Sequence, residues 1–252
     1  IIKYAETVVA VRNRTLINGR LCGGAMYFMR SKFAAALFAV FCIICSFTVG
    51  SAIQTNTVAE SALIAFEIPR YVSGIVFALC IFIIIRRGFS GIGSFCSVII
   101  PLLTAGYMCI TLYIIIVNRC ELPGVFSQIF REAFGIKQAG AGMSGFLLAR
   151  AVKTGFTRGL ITNEAGCGTS PIAHSESEIS DPVRQGFLGI AEVFIDTIVL
   201  CTLTGLTVLT TMSYTPELYG MELVRSAFSR FIGPGSDLIL CTAMFLFALS
   251  SV

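Results

Sequence analysis

Long stretches of this sequence carry no charged side chain, and this feature limits the fold more than any other. Residues 33–59, 71–85 and 88–118 are charge-free throughout. A helix needs about 20 apolar residues to cross a bilayer, because hydrocarbon offers no hydrogen-bond partner to free backbone amides. The second run reaches that length only if it starts near Ile68 and includes Arg70. The three runs predict membrane-spanning helices.

Three further apolar runs contain charges or stop early. They cover residues 139–172, with Arg150, Lys153, Arg158 and Glu164, residues 186–211, with Glu192 and Asp196, and residues 237–252. The chain is 56% hydrophobic and 13% charged, whereas soluble domains average about 25% charged residues. We therefore predict an all-α polytopic membrane protein with about six transmembrane helices, for which the lipid bilayer is the main solvent.

The charges of the first 32 residues predict the orientation. This segment holds one acid, Glu6, against six cations: Lys3, Arg12, Arg14, Arg20, Arg30 and Lys32. Cationic loops of membrane proteins stay in the cytoplasm, so residues 1–32 are predicted to be a cytoplasmic loop. Because the sequence starts at Ile1 and stops inside an apolar run, we expect an internal fragment of one transmembrane domain spanning residues 1–252.

The segment from residue 155 to 186 should interrupt a helix. It contains Gly155, Gly159, Gly166, Gly168 and Pro171, and each Gly costs a helix interior about 1 kcal/mol relative to Ala, with Pro costing about 3 kcal/mol. We predict that residues 162–169 are non-helical and border a cavity near the bilayer midplane. Composition alone leaves two readings equally open: a transporter-type ligand site in a broken helix, or a re-entrant loop with structural glycines.

Two stretches of sequence are similar to one family of transporters. Residues 155–186 read GFTRGLITNEAGCGTSPIAHSESEISDPVRQG, and residues 189–209 read GIAEVFIDTIVLCTLTGLTVL. The first resembles the GxxRGxxxNEAGMGSAPIAHA and PVRQG elements of the alanine or glycine:cation symporter family, and the second resembles the next helix of that family. The resemblance covers essentially the whole chain.

The resemblance implies the leucine-transporter-like fold, in which two inverted repeats of five helices surround an amino acid and sodium. Residues 33–252 would then be core helices three to eight, and residues 1–32 the loop after the second core helix. The first core helix and the last ones would be absent. Cys167 stands where the family has Met, and Ser51 where it has Asn, which leaves the substrate preference open.

The resemblance also implies the residues of the site. The predicted substrate-binding residues are Gln54, Asn163, Ala165, Gly166, Cys167 and Gly168. Ser250 and Ser251 are predicted sodium ligands, since a hard cation prefers oxygen, with packing between helices as the alternative. Glu164, Arg158 and Asp196 are predicted structural or coupling residues. Gln54 has a second possible role in a hydrogen bond between helices.

Four polar side chains have structural alternatives to a direct role in transport. Glu164 can accept hydrogen bonds from the amides freed at Gly166 and Gly168 or pair with Arg158, and we weight these roles above direct ion binding. Glu192 and Asp196 are one helical turn apart, so we expect a neighbouring cation or a raised pKa. His174, the single histidine, is predicted to be a polar anchor, because one histidine cannot form a zinc site alone.

The expected function is sodium-coupled symport of a small neutral amino acid, alanine or glycine, by alternating access across a plasma membrane, such as a bacterial inner membrane. Sodium would be the coupling ion, without another metal or an organic cofactor and without a nucleic-acid partner. The sequence contains no HExxH, Walker or GxSxG motif, so no enzymatic site is predicted. The alternative is a non-transporting membrane sensor, structural subunit or inactive truncated product of the same fold.

Overall fold

The computed structural model of the protein describes residues 1–86, 88–134, 141–211 and 220–251. Within these ranges, the side chains of residues 49, 88–95, 132–134, 141–148, 161, 234, 250 and 251 are outside the description. The described chain is mostly helical, as the composition predicts.

The α-helices are α1 (Ile2–Arg12), α2 (Ala25–Phe28), α3 (Lys32–Cys45), α4 (Ile53–Phe66), α5 (Arg70–Arg86), α6 (Gly88–Val117), α7 (Leu122–Phe134), α8 (Ala141–Asn163), α9 (Ser170–Ser175), α10 (Pro182–Val193), α11 (Cys201–Thr210), α12 (Met221–Ile232) and α13 (Ser236–Ser251). Among the described residues, two π-helical segments, Ser46–Ala52 and Phe194–Leu200, continue α3 into α4 and α10 into α11. Single 3-10 turns are at Arg119–Glu121 and Gly233–Gly235. A two-stranded sheet pairs β1 (Thr15–Ile17) with β2 (Arg20–Cys22).

Three helices of the described chain are long and apolar enough to cross a membrane. They are Lys32–Phe66, Cys96–Val117 and Pro182–Thr210. Much of their apolar surface is exposed, including Phe33 and Phe47, whose exposed fractions are 78% and 73%. Apolar surface of this extent is normal in lipid and rare in a soluble monomer. The protein is therefore a multi-pass membrane protein.

Most of the described residues in the other predicted spans are also helical, but these helices are shorter or charged. Helix α5 has 17 residues, and α13 has 16. Helix α8 has 23 residues and includes the charged Arg150, Lys153 and Arg158. The count of six membrane crossings therefore stays a prediction, together with the inverted-repeat fold.

The described residues divide into two compact units. Unit 1 consists of Ile1–Ile44 and Ile129–Thr202, and unit 2 of Cys45–Gln128 and Leu203–Val252. In unit 1, α1 packs against α10 and α9. This packing leaves no room for side chains on α10 at Gly186, where an added Cβ would lie 2.7 Å from ring carbons of Tyr4 and from Val8 Cγ2.

The described residues of unit 2 form two apolar clusters. In the first, Val58 of α4 packs with Phe77 of α5 and Ala248 of α13. In the second, the stacked rings of Tyr107 and Phe228 have centroids 5.8 Å apart. Burial of apolar side chains thus joins α4, α5 and α13 in the first cluster. It joins α6 and α12 in the second.

The first 32 residues, predicted as a loop, have secondary structure of their own. Besides α1, they form a hairpin in which Ile17 pairs with Arg20 across a two-residue turn. Asn18 and Gly19 both have positive φ, 51° and 77°, as a type I′ turn requires. Asn-Gly is the most favourable pair for this turn, so the hairpin has a clear local cause.

Candidate functional site

The predicted interruption is present, but it begins two residues later than we predicted. Helix α8 ends at Asn163 and α9 begins at Ser170; the intervening residues 164–169 form turns and are called the break below. Thr162 and Asn163 are still helical, which corrects the predicted start at residue 162. Helix α8 also runs unbroken through Gly155 and Gly159, because a penalty of about 1 kcal/mol per glycine is too small to end a helix alone.

Left-handed backbone conformations end α8. Glu164, Gly166 and Gly168 have φ values of 52°, 85° and 77°. Glycine adopts this region without strain, whereas a residue with a Cβ does so at a cost. Gly168 is also confined by its neighbour, since an added Cβ would lie 2.7 Å from Phe38 Cζ. The glycines at 166 and 168 therefore define where the helix stops.

Side chains of α1 reach both kinds of backbone group that the break exposes. Lys3 Nζ donates to the carbonyl oxygen of Asn163 at 3.2 Å. The amide of Gly166 donates to Glu6 Oε2 at 3.0 Å. Free carbonyls at a helix end and free amides beyond it must find partners, and α1 supplies one of each kind.

Polar side chains in and next to the break make two further local hydrogen bonds. The amide of Ala165 donates to Asn163 Oδ1 at 2.9 Å, and the Thr169 hydroxyl donates to Glu164 Oε2 at 2.8 Å. Glu164 was predicted to accept hydrogen bonds from the amides at Gly166 and Gly168; its Oε2 accepts from the Thr169 hydroxyl instead, and the Gly166 amide donates to Glu6. The predicted pair with Arg158 is not formed in the described chain, since no ion pair joins the two side chains there.

A polar cavity of about 290 Å³ borders the break. Its lining residues come from four helices and the break: Lys3, Thr162, Asn163, Glu164, Ser170, Ala173, His174 and Glu192. The volume is close to the lower limit of small-molecule sites, which span roughly 300–1,000 Å³. The cavity therefore has room for a small polar ligand.

A charged cluster forms one side of this cavity. Oε1 of Glu192 lies 3.3 Å from Lys3 Nζ, and Oε2 of Glu192 lies 3.1 Å from His174 Nε2. Lys3 is buried, with only 6% of its side chain exposed, whereas 55% of the Glu192 side chain is exposed. The expected cation next to Glu192 is therefore confirmed.

His174 is held from its other ring nitrogen as well. Its Nδ1 lies 2.9 Å from Gln185 Nε2, and Gln185 Oε1 accepts from the Ser177 hydroxyl at 3.1 Å. The imidazole therefore joins α9 to α10 through two contacts, as a polar anchor would. The described residues contain no group of three or more His, Cys, Asp or Glu side chains placed to hold a metal ion.

The loop after α9 is held by a third charged residue of the N-terminal segment. Arg14 donates from Nη1 to the carbonyl oxygens of Ser175 and Ser177, at 3.2 and 2.6 Å, and from Nη2 to that of Ile179 at 3.1 Å. In this loop, desolvation raises the pKa of Glu176, and the charge of Arg20 opposes the rise. Lys3, Glu6 and Arg14 thus hold the chain on both sides of α9.

The predicted site residues have different positions relative to the cavity. Asn163 and Glu164 line it, whereas Ala165, Gly166, Cys167 and Gly168 form the adjoining turns. Gln54 is on α4 in unit 2, and its side chain makes no hydrogen bond within the described chain. Asp196 lies in the π-helical segment Phe194–Leu200. Ser250 and Ser251 were predicted as sodium ligands, and their side chains lie outside the described residues.

The sequence interpretation missed the roles of Lys3 and Glu6. Both were counted only as loop charges, although they occupy positions i and i+3 of one helix. Residues at this spacing lie on the same helix face. That spacing was the available signal, but it does not identify a partner that lies 160 residues later in the chain.

Comparison with known proteins agrees with the resemblance of the break. The chain is 33% identical to an uncharacterized transporter of Haemophilus influenzae, over 97% of this chain and 55% of that protein. It is 33% identical to the sodium/alanine symporter AgcS of Methanococcus maripaludis, over 99% of this chain and 57% of that protein. It is 34% identical to the amino-acid carrier protein AlsT of Bacillus subtilis, over 91% of this chain and 49% of that protein.

The chain thus spans about half the length of the curated relatives it matches. The sequence model of the sodium:alanine symporter family matches residues 2–252, which is nearly the whole chain. The break, its cavity and the charged residues around it therefore lie within the matched region. The chain belongs to the sodium:alanine symporter family.

Proposed function

We propose that this chain is part of a symporter that couples the entry of sodium to that of a small neutral amino acid, alanine or glycine. The observation that supports the proposal most directly is the break between α8 and α9 beside a polar cavity. Broken helices present free amides and carbonyls, which suit the carboxylate of an amino acid and a small cation. Family membership adds independent support.

The proposed arrangement is the leucine-transporter-like inverted-repeat fold, with six crossings from this chain. Asn163, Ala165, Gly166, Cys167 and Gly168 would contact the amino acid together with Gln54, and Ser250 and Ser251 would bind sodium. No other cofactor is proposed. The location would be a plasma membrane, such as a bacterial inner membrane, where an entering cation gains about 2.3 kcal/mol per 100 mV of membrane potential.

The test is uptake by the full-length protein in liposomes. An inward sodium gradient should drive alanine above its equilibrium concentration inside, and replacing sodium by choline or adding a sodium ionophore should abolish this accumulation. Unlabelled glycine should compete better than the larger glutamine. Binding of alanine without uptake would favour the non-transporting alternative, and uptake that ignores sodium would refute the coupling.

The backbone conformation of Gly166 gives a second prediction. In the break, Gly166→Val adds a branched side chain at φ 85°, where backbone strain costs about 1–3 kcal/mol. If that free energy is lost from binding, the affinity for alanine should fall roughly 5- to 150-fold. The measurement is the alanine concentration that gives half-maximal uptake.

The matched control is Gly159→Val on α8. Gly159 has no positive φ, and an added Cβ meets no described atom within 4 Å. Both variants should elute from size exclusion as the unmodified protein does. A well-folded Gly166→Val protein with unchanged alanine affinity would remove the break from the proposed substrate site.

A further inference from the structure

We propose that Lys3 and Glu6 are positioning residues that set the backbone geometry of the break, by binding the carbonyl of Asn163 directly before it and the amide of Gly166 within it. The inference rests on the proposed function only where it concerns ligand affinity. Its structural part concerns the break itself and applies whatever ligand the protein binds. Below, the pair of contacts from Lys3 to Asn163 and from Glu6 to Gly166 is called the α1 clamp.

The two charges match the two backbone groups that they contact. The carbonyl of Asn163 is at the C-terminal end of α8, where the helix dipole is negative, and it accepts from an ammonium group. The amide of Gly166 is a donor left free beyond the helix end, and it binds a carboxylate. Hydrogen bonds with one charged partner are stronger than neutral ones, and cations are favourable at helix C-termini.

Helix α1 can act as a clamp because it is itself fixed on α10. Lys3 is 5% exposed, and its ammonium group is also bound by Glu192 of α10. An added Cβ at Gly189 would be 3.4 Å from Lys3 Cγ, so the aliphatic part of Lys3 runs close to the backbone of α10. A buried, paired lysine is held in position, unlike an exposed one.

The clamp differs in kind from the hydrogen bonds that the backbone amides of the break make locally. Among its described backbone amides, Ala165 binds Asn163 Oδ1 and Cys167 binds the carbonyl of Glu164 at 3.3 Å. Both are contacts over two or three residues. The contacts of Lys3 and Glu6 reach the break from another helix, so their loss should loosen the turn without unfolding the helices on either side.

Hydrogen exchange measured on peptides that cover residues 164–169 tests the structural part. Glu6→Ala removes the acceptor of the Gly166 amide, and we expect hydrogen exchange of that amide to accelerate roughly tenfold. Glu6→Gln keeps an acceptor and should show a smaller change. Lys3→Met should also accelerate exchange in these peptides, and Lys3→Arg should restore it because guanidinium can still donate to the carbonyl.

A charge exchange distinguishes the clamp from a nonspecific effect of charge. Lys3→Glu with Glu6→Lys places a carboxylate at the Asn163 carbonyl and an ammonium group at the Gly166 amide. Because the backbone groups cannot exchange their roles, this double variant should loosen the break more than Lys3→Met or Glu6→Ala alone. Two charges that acted only on each other would tolerate the exchange.

Arg12→Met is the matched control on the same helix. Arg12 is an exposed cation in the last turn of α1, and its side chain makes no hydrogen bond or ion pair with the described residues. We expect no change at residues 164–169. Peptides from α12 serve as the internal reference in every variant, and faster exchange there as well would mean general unfolding and would contradict the clamp.

Transport supplies the functional part of the test. If the break binds the amino acid, Lys3→Met and Glu6→Ala should raise the half-saturating alanine concentration roughly tenfold with a smaller effect on the maximal rate, and Lys3→Arg should restore it. Absence of sodium-driven uptake in the unmodified protein would refute the proposed function, while exchange would still test the clamp. Unchanged exchange at residues 164–169 in Lys3→Met and Glu6→Ala would overturn the clamp.

Discussion

Gly186→Leu should separate α1 from α10 and cause a large loss of thermal stability. A Cβ at Gly186 would already be 2.7 Å from two ring carbons of Tyr4 and from Val8 Cγ2. Overpacking of this kind costs about 1–3 kcal/mol, and a branched side chain that meets three atoms should be near the upper limit. At roughly 2–4 °C per kcal/mol, the midpoint of thermal aggregation in detergent should fall by about 6–12 °C.

The control for this prediction is on the same long helix. Gly205→Leu on α11 also replaces glycine, but an added Cβ there meets no described atom within 4 Å. Leucine is about 1 kcal/mol more favourable than glycine in a helix, so this variant should be as stable as the unmodified protein or more stable. Equal losses in both variants would show that the contact of α1 with α10 does not limit stability.

Glu192→Leu should have the second large effect, because it leaves the buried Lys3 ammonium without its carboxylate. Removing one partner of a buried ion pair typically costs 3–5 kcal/mol. Here 55% of the Glu192 side chain is exposed and water screens part of the interaction, so we expect about 1–3 kcal/mol. The measurement is again the midpoint of thermal aggregation.

The double variant Lys3→Met with Glu192→Leu tests the cause of that loss. It removes both charges and leaves apolar side chains of similar length, which is often neutral in a protein interior. We expect it to be more stable than Glu192→Leu alone, with a coupling free energy of about 0.5–3 kcal/mol between the two sites. Strictly additive losses would mean that the ion pair does not stabilise the fold.

The existence of the break followed from local sequence, whereas its start did not. Gly166 and Gly168 adopt left-handed conformations that glycine tolerates best, so their positions marked the interruption. Gly155 and Gly159 are also glycines in the predicted interruption, but both stay within α8 and have no positive φ. A single sequence shows which residues permit a break and does not show which of them the tertiary contacts use.

The partners of the break could not be predicted in the same way. The carboxylate of Glu164 was expected to accept a hydrogen bond from the amide of Gly166. In the structure, that amide donates to Glu6 instead. Both carboxylates have the correct chemistry, and only the packing of α1 on α10 decides between them. The apolar runs, by contrast, were sufficient to predict the helices, because helix formation in a bilayer depends on local composition.

The position of α1 in the chain has a consequence for synthesis. Its charged side chains bind partners 160 and 189 residues later. At about 5–20 residues per second, the ribosome needs roughly 8–32 s to add 160 residues. During that interval Lys3 and Glu6 lack the groups that hold them in the finished protein. Helix α1 can dock on α10 only after α10 has emerged, so α1 reaches its final position long after its own residues have been made.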